Sequence, residues 1–443
     1  MEFKPVIGLE IHIELKTNSK MFCGCSARHF GEEPNTHCCP VCLGLPGALP
    51  FPNKKAIEWT IRLGLVLNCQ VSEESKFDRK NYFYPDLPKG YQISQYDQPF
   101  CREGKVTLKD GREIRLRRVH LEEDTGKLVH LRIDGQDASL VDFNRSGVPL
   151  VEVVTEPDFQ NSEEVDEFLK SLQRTVRYLD VSDADMEKGS MRLEPNISLQ
   201  LPGQNELPDY KVEVKNINSF RFVRKAIEYE IARQTGVLQK GEKLIQETRG
   251  WSESENKTFS QREKEEAHDY RYFPEPDIPP LSFGPEEVEE IRQQIPELPE
   301  AKRQRFQREF KLSPYQTDRL IETKELADYY EAALGVNGQI DGKKYSSPSE
   351  VANWLINRKI DIKTISPERM IKDLIASKEV TRLGEGEMSR IVNEVLAENA
   401  QAAEDYKKGK TAVLGFLIGQ VVKKIGPQAD RQEITRKLQE KLG

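Results

Sequence analysis

No apolar run in this chain approaches the ~18 residues that a membrane span needs. The first residues, MEFKPVIGLE, lack the charged-then-apolar pattern of a secretory signal. A cytoplasmic protein without membrane attachment is therefore expected. Positive charge is also in deficit: 66 Lys and Arg against 74 Asp and Glu leave a net charge of −8. That excludes a chain coated in basic surface for indiscriminate nucleic-acid binding, while leaving room for a local patch. The phosphate loop G-x-x-x-x-G-K-[ST] is missing; its nearest fragment, GQIDGKKY at 338–345, has neither the spacing nor the hydroxyl. H-E-x-x-H and G-x-S-x-G are absent too. Any nucleotide must be held by metal and side chains in a less common fold.

What is present is polar but foldable. Charged residues reach 32% and hydrophobic ones 37%, against a usual charged share of about a quarter, yet branched and aromatic residues are too frequent for disorder. At 443 residues about three domains are expected. The stretch VIGLEIHIEL alternates, with Ile7, Leu9, Ile11 and Ile13 on one side and Gly8, Glu10, His12 and Glu14 on the other. Further strands are predicted at 114–121, 140–144, 150–155, 191–199 and 211–214. Asn161, with Glu164 three residues on, predicts a helix start whose buried stripe is Val165, Phe168, Leu169, Leu172, Val176 and Leu179. Another helix follows Asn218. This mixture predicts an α+β fold with a largely antiparallel sheet. A proline-rich stretch at 270–287 ends the pattern. Beyond Ile295 the periodicity is helical, and 405–443 carries nine Lys/Arg against four Asp/Glu. The expected division is 1–294, 295–377 and 378–443.

Seven cysteines are too few and too clustered for a disulfide scaffold. Cys23-x-Cys25, thirteen residues, then Cys39-x-x-Cys42 offers two close thiol pairs, as a tetrahedral structural zinc site requires. Cys38 is the spare. The competing reading is a set of ordinary buried thiols.

Glu10 and His12 share a strand face with Cα atoms about 7 Å apart, close enough to converge on one ion or phosphate. In RVHLEED, His120, Glu122 and Asp124 oppose Val119 and Leu121. In LVEVV, Glu152 interrupts a run that otherwise reads as fully buried, which is expensive for a carboxylate unless it is paired or bound to metal. Glu10, His12, Glu122 and Glu152 together would suit Mg²⁺ with bound phosphate. Salt bridges from Glu152 to Arg145 or Arg192 remain the alternative. The loop at 76–99 interleaves Arg79, Lys80 and Lys89 with Tyr82, Tyr84, Tyr91 and Tyr96. Such a segment can hold phosphate and stack a base; a plain surface loop has the same composition.

Several blocks then resemble a known family: VIGLEIHIELKTNSKMF, PVCLGLPGALP, DRKNYFYPDLPKGYQISQYDQP, HLEEDTGK, DFNRSGVPLVEVVTEPD, KVEVKNINSFRFVRKAIEYE, DYRYFPEPDIPPL and EDYKKGKTAVLGFLIGQVVKK. They resemble the GatB family, the B subunits of glutamyl/aspartyl-tRNA amidotransferases, over essentially the whole chain. The resemblance implies a GatCAB heterotrimer, in which the A protein is a glutaminase and the C protein completes the assembly. It implies ATP- and Mg²⁺-dependent phosphorylation of the side chain of mischarged Glu-tRNA(Gln) or Asp-tRNA(Asn), followed by displacement with ammonia. It also implies a cradle domain (1–294), a helical domain (295–377) and a tRNA-gripping tail (378–443). Glu10, His12, Glu122 and Glu152 match positions associated with the magnesium site, and Glu10 alternatively orients ammonia or takes its proton. Arg79, Lys80, Tyr82, Lys89 and Arg192 are candidates for ATP or phosphate, and Lys407, Lys408 and Lys410 for tRNA. Cys23, Cys25, Cys39 and Cys42 match the zinc ligands that some members carry. Two departures stand out. MRLEPNISL has Leu193 where relatives commonly have cysteine, and the helical region after DLIASKEV is shorter by some thirty residues. A non-catalytic tRNA-binding scaffold is the competing reading.

Overall fold

The alternation of the first strand decides the architecture. In β1 (Lys4–Glu14), Ile7, Leu9, Ile11 and Ile13 are at most 1% exposed, so the strand has one wholly apolar face and one polar face. Fully burying each such side chain contributes about 1.5–3 kcal/mol. The computed structural model describes residues 3–263, 270–337, 346–377, 384–426 and 429–443. The fragment at 338–345 lies outside the described residues, as does the segment 378–383 at the expected start of the tail. The chain forms two compact units, Met1–Pro299 and Glu300–Gly443.

In the first unit the remaining strands are β2 (Gln70–Val71), β3 (Glu74–Ser75), β4 (Asp78–Asn81), β5 (Tyr91–Ser94), β6 (Cys101–Thr107), β7 (Glu113–Glu123), β8 (Lys127–Ile133), β9 (Gln136–Asp142), β10 (Pro149–Thr155), β11 (Met191–Gln200), β12 (Val212–Lys215), β13 (Glu247–Ser252), β14 (Lys257–Glu263), β15 (Phe273–Pro274) and β16 (Leu281–Ser282). Eight of them join β1 in one sheet in the order β14-β13-β12-β11-β1-β10-β7-β6-β2, antiparallel except for the β12/β13 pair. The α+β class with a largely antiparallel sheet is thus what the chain adopts. Strand β1 lies at the centre, between β10 and β11.

Helices α1 (Lys54–Val66), α2 (Ser162–Tyr178) and α3 (Phe220–Gln239) cover the apolar face, and their Ile61, Val165, Phe168, Leu169 and Ile227 join the β1 isoleucines in one core. Helix α4 (Pro285–Gln293) adds Ile291. With the helices on one face, the other face of the sheet is left to its polar side chains. Helix α2 begins as its spacing predicts: the Asn161 side chain accepts from the Glu164 N–H, and the Glu164 carboxylate accepts from the Gln160 N–H. Asn161→Ala is expected to lower stability by about 1 kcal/mol, read as a reduced urea midpoint without a change in slope.

The loop at 76–99 is an ordered lobe. Strands β4 and β5 pair with each other, and β15 from the proline-rich stretch adds a third strand. Tyr96 stacks on Tyr272 with ring centroids 4.3 Å apart.

The second unit is helical among its described residues. It holds two apolar clusters, one around Phe306, Leu320, Tyr330, Val351 and Ile371, the other around Met388, Val392, Leu417, Val421 and Leu438. Among the described residues no helix is long and apolar enough to cross a membrane.

Candidate active site

Strand register builds the site. On the polar face His12 lies opposite Glu152 of β10 and Arg192 of β11, and Glu152 lies opposite His120 of β7. Arg192, His12, Glu152 and His120 therefore form one row across four adjacent strands. Glu122, two residues beyond His120, shares its face. His12 Nε2 is 3.5 Å from Glu152 Oε2 and 3.8 Å from Glu122 Oε1. His120 Nε2 is 3.2 Å from the same Glu152 oxygen and 3.7 Å from Glu122 Oε2. Ser94 of β5 donates its hydroxyl to Glu122 at 2.9 Å.

Burial shapes the charge here. It opposes ionisation of Glu152, yet His120 and His12 hold that carboxyl well below the usual range. Burial likewise favours neutral His12, but the Glu152 carboxylate raises it to about 9. The two imidazoles supply positive charge that the carboxylates demand. A divalent cation supplies the same charge, and ligand atoms of His12, Glu122 and Glu152 lie within 4.8 Å of one another. These donors fit such an ion.

The expected four-residue set divides in two. His12, Glu122 and Glu152 converge, whereas Glu10 lies opposite Glu194 and gathers with Glu194 and Glu213. Register is the reason: one pleat further along β1, the facing residue on β10 is Val154, and the acids come from β11 and β12 instead. Asn196 donates its amide to Glu10 at 3.1 Å. Lys215 Nζ lies 2.9 Å from Glu194 and 3.1 Å from Glu213. Burial, then Glu213, lifts the Glu194 carboxyl above its ordinary range despite Lys215. A cavity of about 300 Å³ opens beside Glu10, lined in part by Gly8, Arg117, Thr155, Asn196 and Tyr210.

The alternative partners for Glu152 are committed elsewhere. Arg192 bonds Asp124, and Arg145 Nε lies 3.7 Å from the same carboxylate. Burial works against that charge, but the two guanidinium groups hold Asp124 well below the usual carboxylate range. Most of the loop cations are also neutralised. Arg79 forks onto Glu275 with two 2.7 Å bonds and reaches Asp277 at 3.3 Å. Lys89 pairs with Glu123 at 2.7 Å. Lys80 differs. Its ammonium lies 5.0 Å from the Tyr270 ring centroid and 5.9 Å from that of Tyr82. Burial works to lower its pKa, but Glu122, with Tyr272 and Glu152, raises it above the ordinary lysine range. Burial also pushes the Tyr82 phenol up. Lys80 is thus the loop cation whose charge Glu122 and Glu152 favour.

Sequence reasoning placed His120 on the correct face but outside the set; the signal was its alternation with Glu122. Glu275, only 2% exposed, gave no signal, because its partner Arg79 is 196 residues away.

The sulfurs of Cys23, Cys25, Cys39 and Cys42 also lie within 4.8 Å of one another, and Cys38 is not among them. The Cys39 N–H donates to Cys42 Sγ at 3.2 Å. The Cys23 thiol, assisted by that N–H and by Lys20, favours the thiolate at Cys42 and pulls it down to about 4 against burial. Four soft donors with one poised for deprotonation fit a tetrahedral metal. In the second unit Lys407, Lys408 and Lys410 are all exposed, with Lys408 near Glu404 (3.1 Å) and Lys410 near Asp405 (3.3 Å).

The family model described as the GatB/GatE catalytic domain matches residues 5–289, and one described as the GatB domain matches 358–442. The aspartyl/glutamyl-tRNA(Asn/Gln) amidotransferase B subunit of Carboxydothermus hydrogenoformans is 44% identical, covering 100% of this chain and 99% of that protein. Those of Caldanaerobacter subterraneus and Persephonella marina are each 45% identical, with 100% of both chains covered. These alignments run over 486 positions, more than the 443 residues of this chain, so parts of the relatives have no counterpart in it.

Proposed function

The chain belongs to the GatB family, the B subunits of aspartyl/glutamyl-tRNA(Asn/Gln) amidotransferases, and on that premise we propose how its polar sheet face performs the amidation. The reaction converts the side chain of Glu-tRNA(Gln) or Asp-tRNA(Asn) to the amide. A free carboxylate is a poor acyl donor because its oxygen leaves badly. Attack of that oxygen on the γ-phosphorus of ATP, with loss of ADP, gives an acyl phosphate. Ammonia then adds at the carbonyl carbon, the nitrogen loses a proton, and phosphate departs.

His12, Glu122 and Glu152 would hold Mg²⁺. When bound, the ion neutralises phosphate charge and aligns the groups for in-line transfer. Ser94 and His120 fix the two carboxylates in place. Lys80 faces the phosphoryl group being transferred. Glu10, held by the Asn196 amide, accepts the proton that ammonia loses, and the cavity beside it leaves room for a reactant to arrive. The single observation that carries this reading is the convergence of three strands' titratable side chains on one buried patch. A pure scaffold has no use for two carboxylates and two imidazoles in that position.

The four thiols hold structural zinc in this reading. A glutaminase partner, the A protein of the heterotrimer, supplies ammonia, and the C protein completes the assembly. The trimer reconstituted with both mischarged tRNAs, ATP and glutamine is expected to release ADP and form the amidated aminoacyl-tRNA. ADP release without amide, or neither product, counts against it. The exposed tail lysines contact the tRNA backbone. Reversing Lys407, Lys408 and Lys410 to Glu is expected to weaken tRNA binding and reduce the salt slope by roughly 2–3, measured by filter binding over a salt series. An unchanged slope shows a merely solvated patch.

A further inference from the structure

The side chain of Lys20 is 1% exposed, and among the described residues no carboxylate lies within ion-pair distance of it. Its ammonium has two contacts, Cys42 Sγ at 3.6 Å and the Phe143 carbonyl at 3.2 Å. A buried ammonium whose contacts are one sulfur and one carbonyl depends on that sulfur for its negative charge. A divalent ion held by four thiolates carries two net negative charges, and such a centre lies directly against this ammonium.

We propose that Lys20 is the positioning residue that joins the four-thiol metal centre to the catalytic face, balancing the charge of the tetrathiolate while anchoring the turn that leads into β10. The proposal rests on the zinc reading of Cys23, Cys25, Cys39 and Cys42.

The turn at 143–148 is held from both sides. On the thiol side, Lys20 donates to Phe143 O, Ser146 Oγ donates to the Cys42 carbonyl at 3.2 Å, and the Met21 N–H donates to Gly147 O at 2.6 Å. On the catalytic side, the Gly147 N–H donates to Asp124 O at 2.9 Å, and the Asp124 N–H donates to Val148 O at 2.8 Å. Gly147 suits the left-handed backbone that this turn adopts. It has φ +86°, and a Cβ there would lie 3.4 Å from Lys20 Cδ and 3.5 Å from the Cys42 Cβ. Pro149 follows and starts the strand that carries Glu152. A charge fixed at the thiols is thereby fixed relative to Asp124, Arg145 and Glu152.

The charge argument separates this role from simple packing. Without metal the sulfurs carry less negative charge than a metal-bound tetrathiolate does, so the ammonium contributes less there. With metal it is required. Lys20→Met in the full chain is therefore expected to bind zinc about 10–100-fold more weakly, by competition with a chromophoric chelator. The loss of urea midpoint caused by the same variant should be larger with zinc bound than in excess chelator. A packing role would instead lower the midpoint equally with and without metal. In the wild type, hydrogen exchange before and after chelation should show the amides of Met21, Gly147 and Val148 exchanging at least tenfold faster once the metal is gone, with α2 unchanged; this needs no variant to fold. Wild-type zinc affinity in Lys20→Met, or exchange at those amides unmoved by chelation, would overturn the proposal. A wild type that takes up no zinc at all would remove the reading of the thiols, and the proposal with it.

Discussion

Glu152→Gln should leave the chain folded and reduce ATP-dependent amidation of mischarged tRNA by about 10²–10³-fold or more. The substitution keeps the shape of the side chain and removes its charge. Glu152 lies within 3.5 Å of two imidazoles, His12 and His120, and is buried on the central strands. An amide there can still accept from one of the imidazoles, but it no longer offers the anionic oxygen that a divalent cation needs. Both half-reactions should fall together, because carboxylate activation precedes amide formation. The measurement is ADP release that depends on mischarged tRNA, alongside amide product, in the reconstituted complex. Unchanged ADP release in the variant would mean that the row of residues across β11, β1, β10 and β7 is structural.

Glu10→Gln should separate the two half-reactions. Glu10 is one pleat from His12 on the same strand, but its neighbours are Glu194, Glu213 and Asn196. If it takes the proton from the attacking nitrogen, the variant retains ADP release dependent on mischarged tRNA and loses amide formation by about 10²–10⁴-fold. Supplying ammonium chloride in place of glutamine removes the glutaminase from the comparison and should not rescue the variant. Equal loss of both half-reactions would place Glu10 with the phosphoryl-transfer group after all. The difference between the two variants is thus a direct reading of how the structure divides the acids.

The division of the acids shows where sequence reading stops. The alternation of VIGLEIHIEL correctly put Glu10 and His12 on one face, since the period of a strand is a local property. Which acids each of them meets is a matter of register with strands about 140 and 180 residues away. Nothing in the local pattern encodes that pairing. The same holds for Arg192 and Arg145, whose choice of Asp124 over Glu152 follows from how β7, β10 and β11 align. It holds as well for Arg79, which the proline-rich stretch neutralises through Glu275. The loop at 76–99 was recognisable as chemically rich. Its partition into one cation whose charge the site's carboxylates favour and others locked in salt bridges was not.

From its residues alone the chain specified an α+β class, the apolar stripe of α2 with its Asn161 cap, the four-thiol set with Cys38 excluded, and the family likeness. Each of these depends on spacing along the chain, over a few residues or across a short loop, and spacing is what a sequence states outright. The tertiary structure decided the rest: that His120 stands beside His12, that Glu10 serves a separate cluster, and that the buried Lys20 finds a sulfur rather than a carboxylate. Those outcomes depend on the register between distant strands, which is set by the fit of one buried face against its helices. A shift of one residue would turn every polar side chain of β1 into the core.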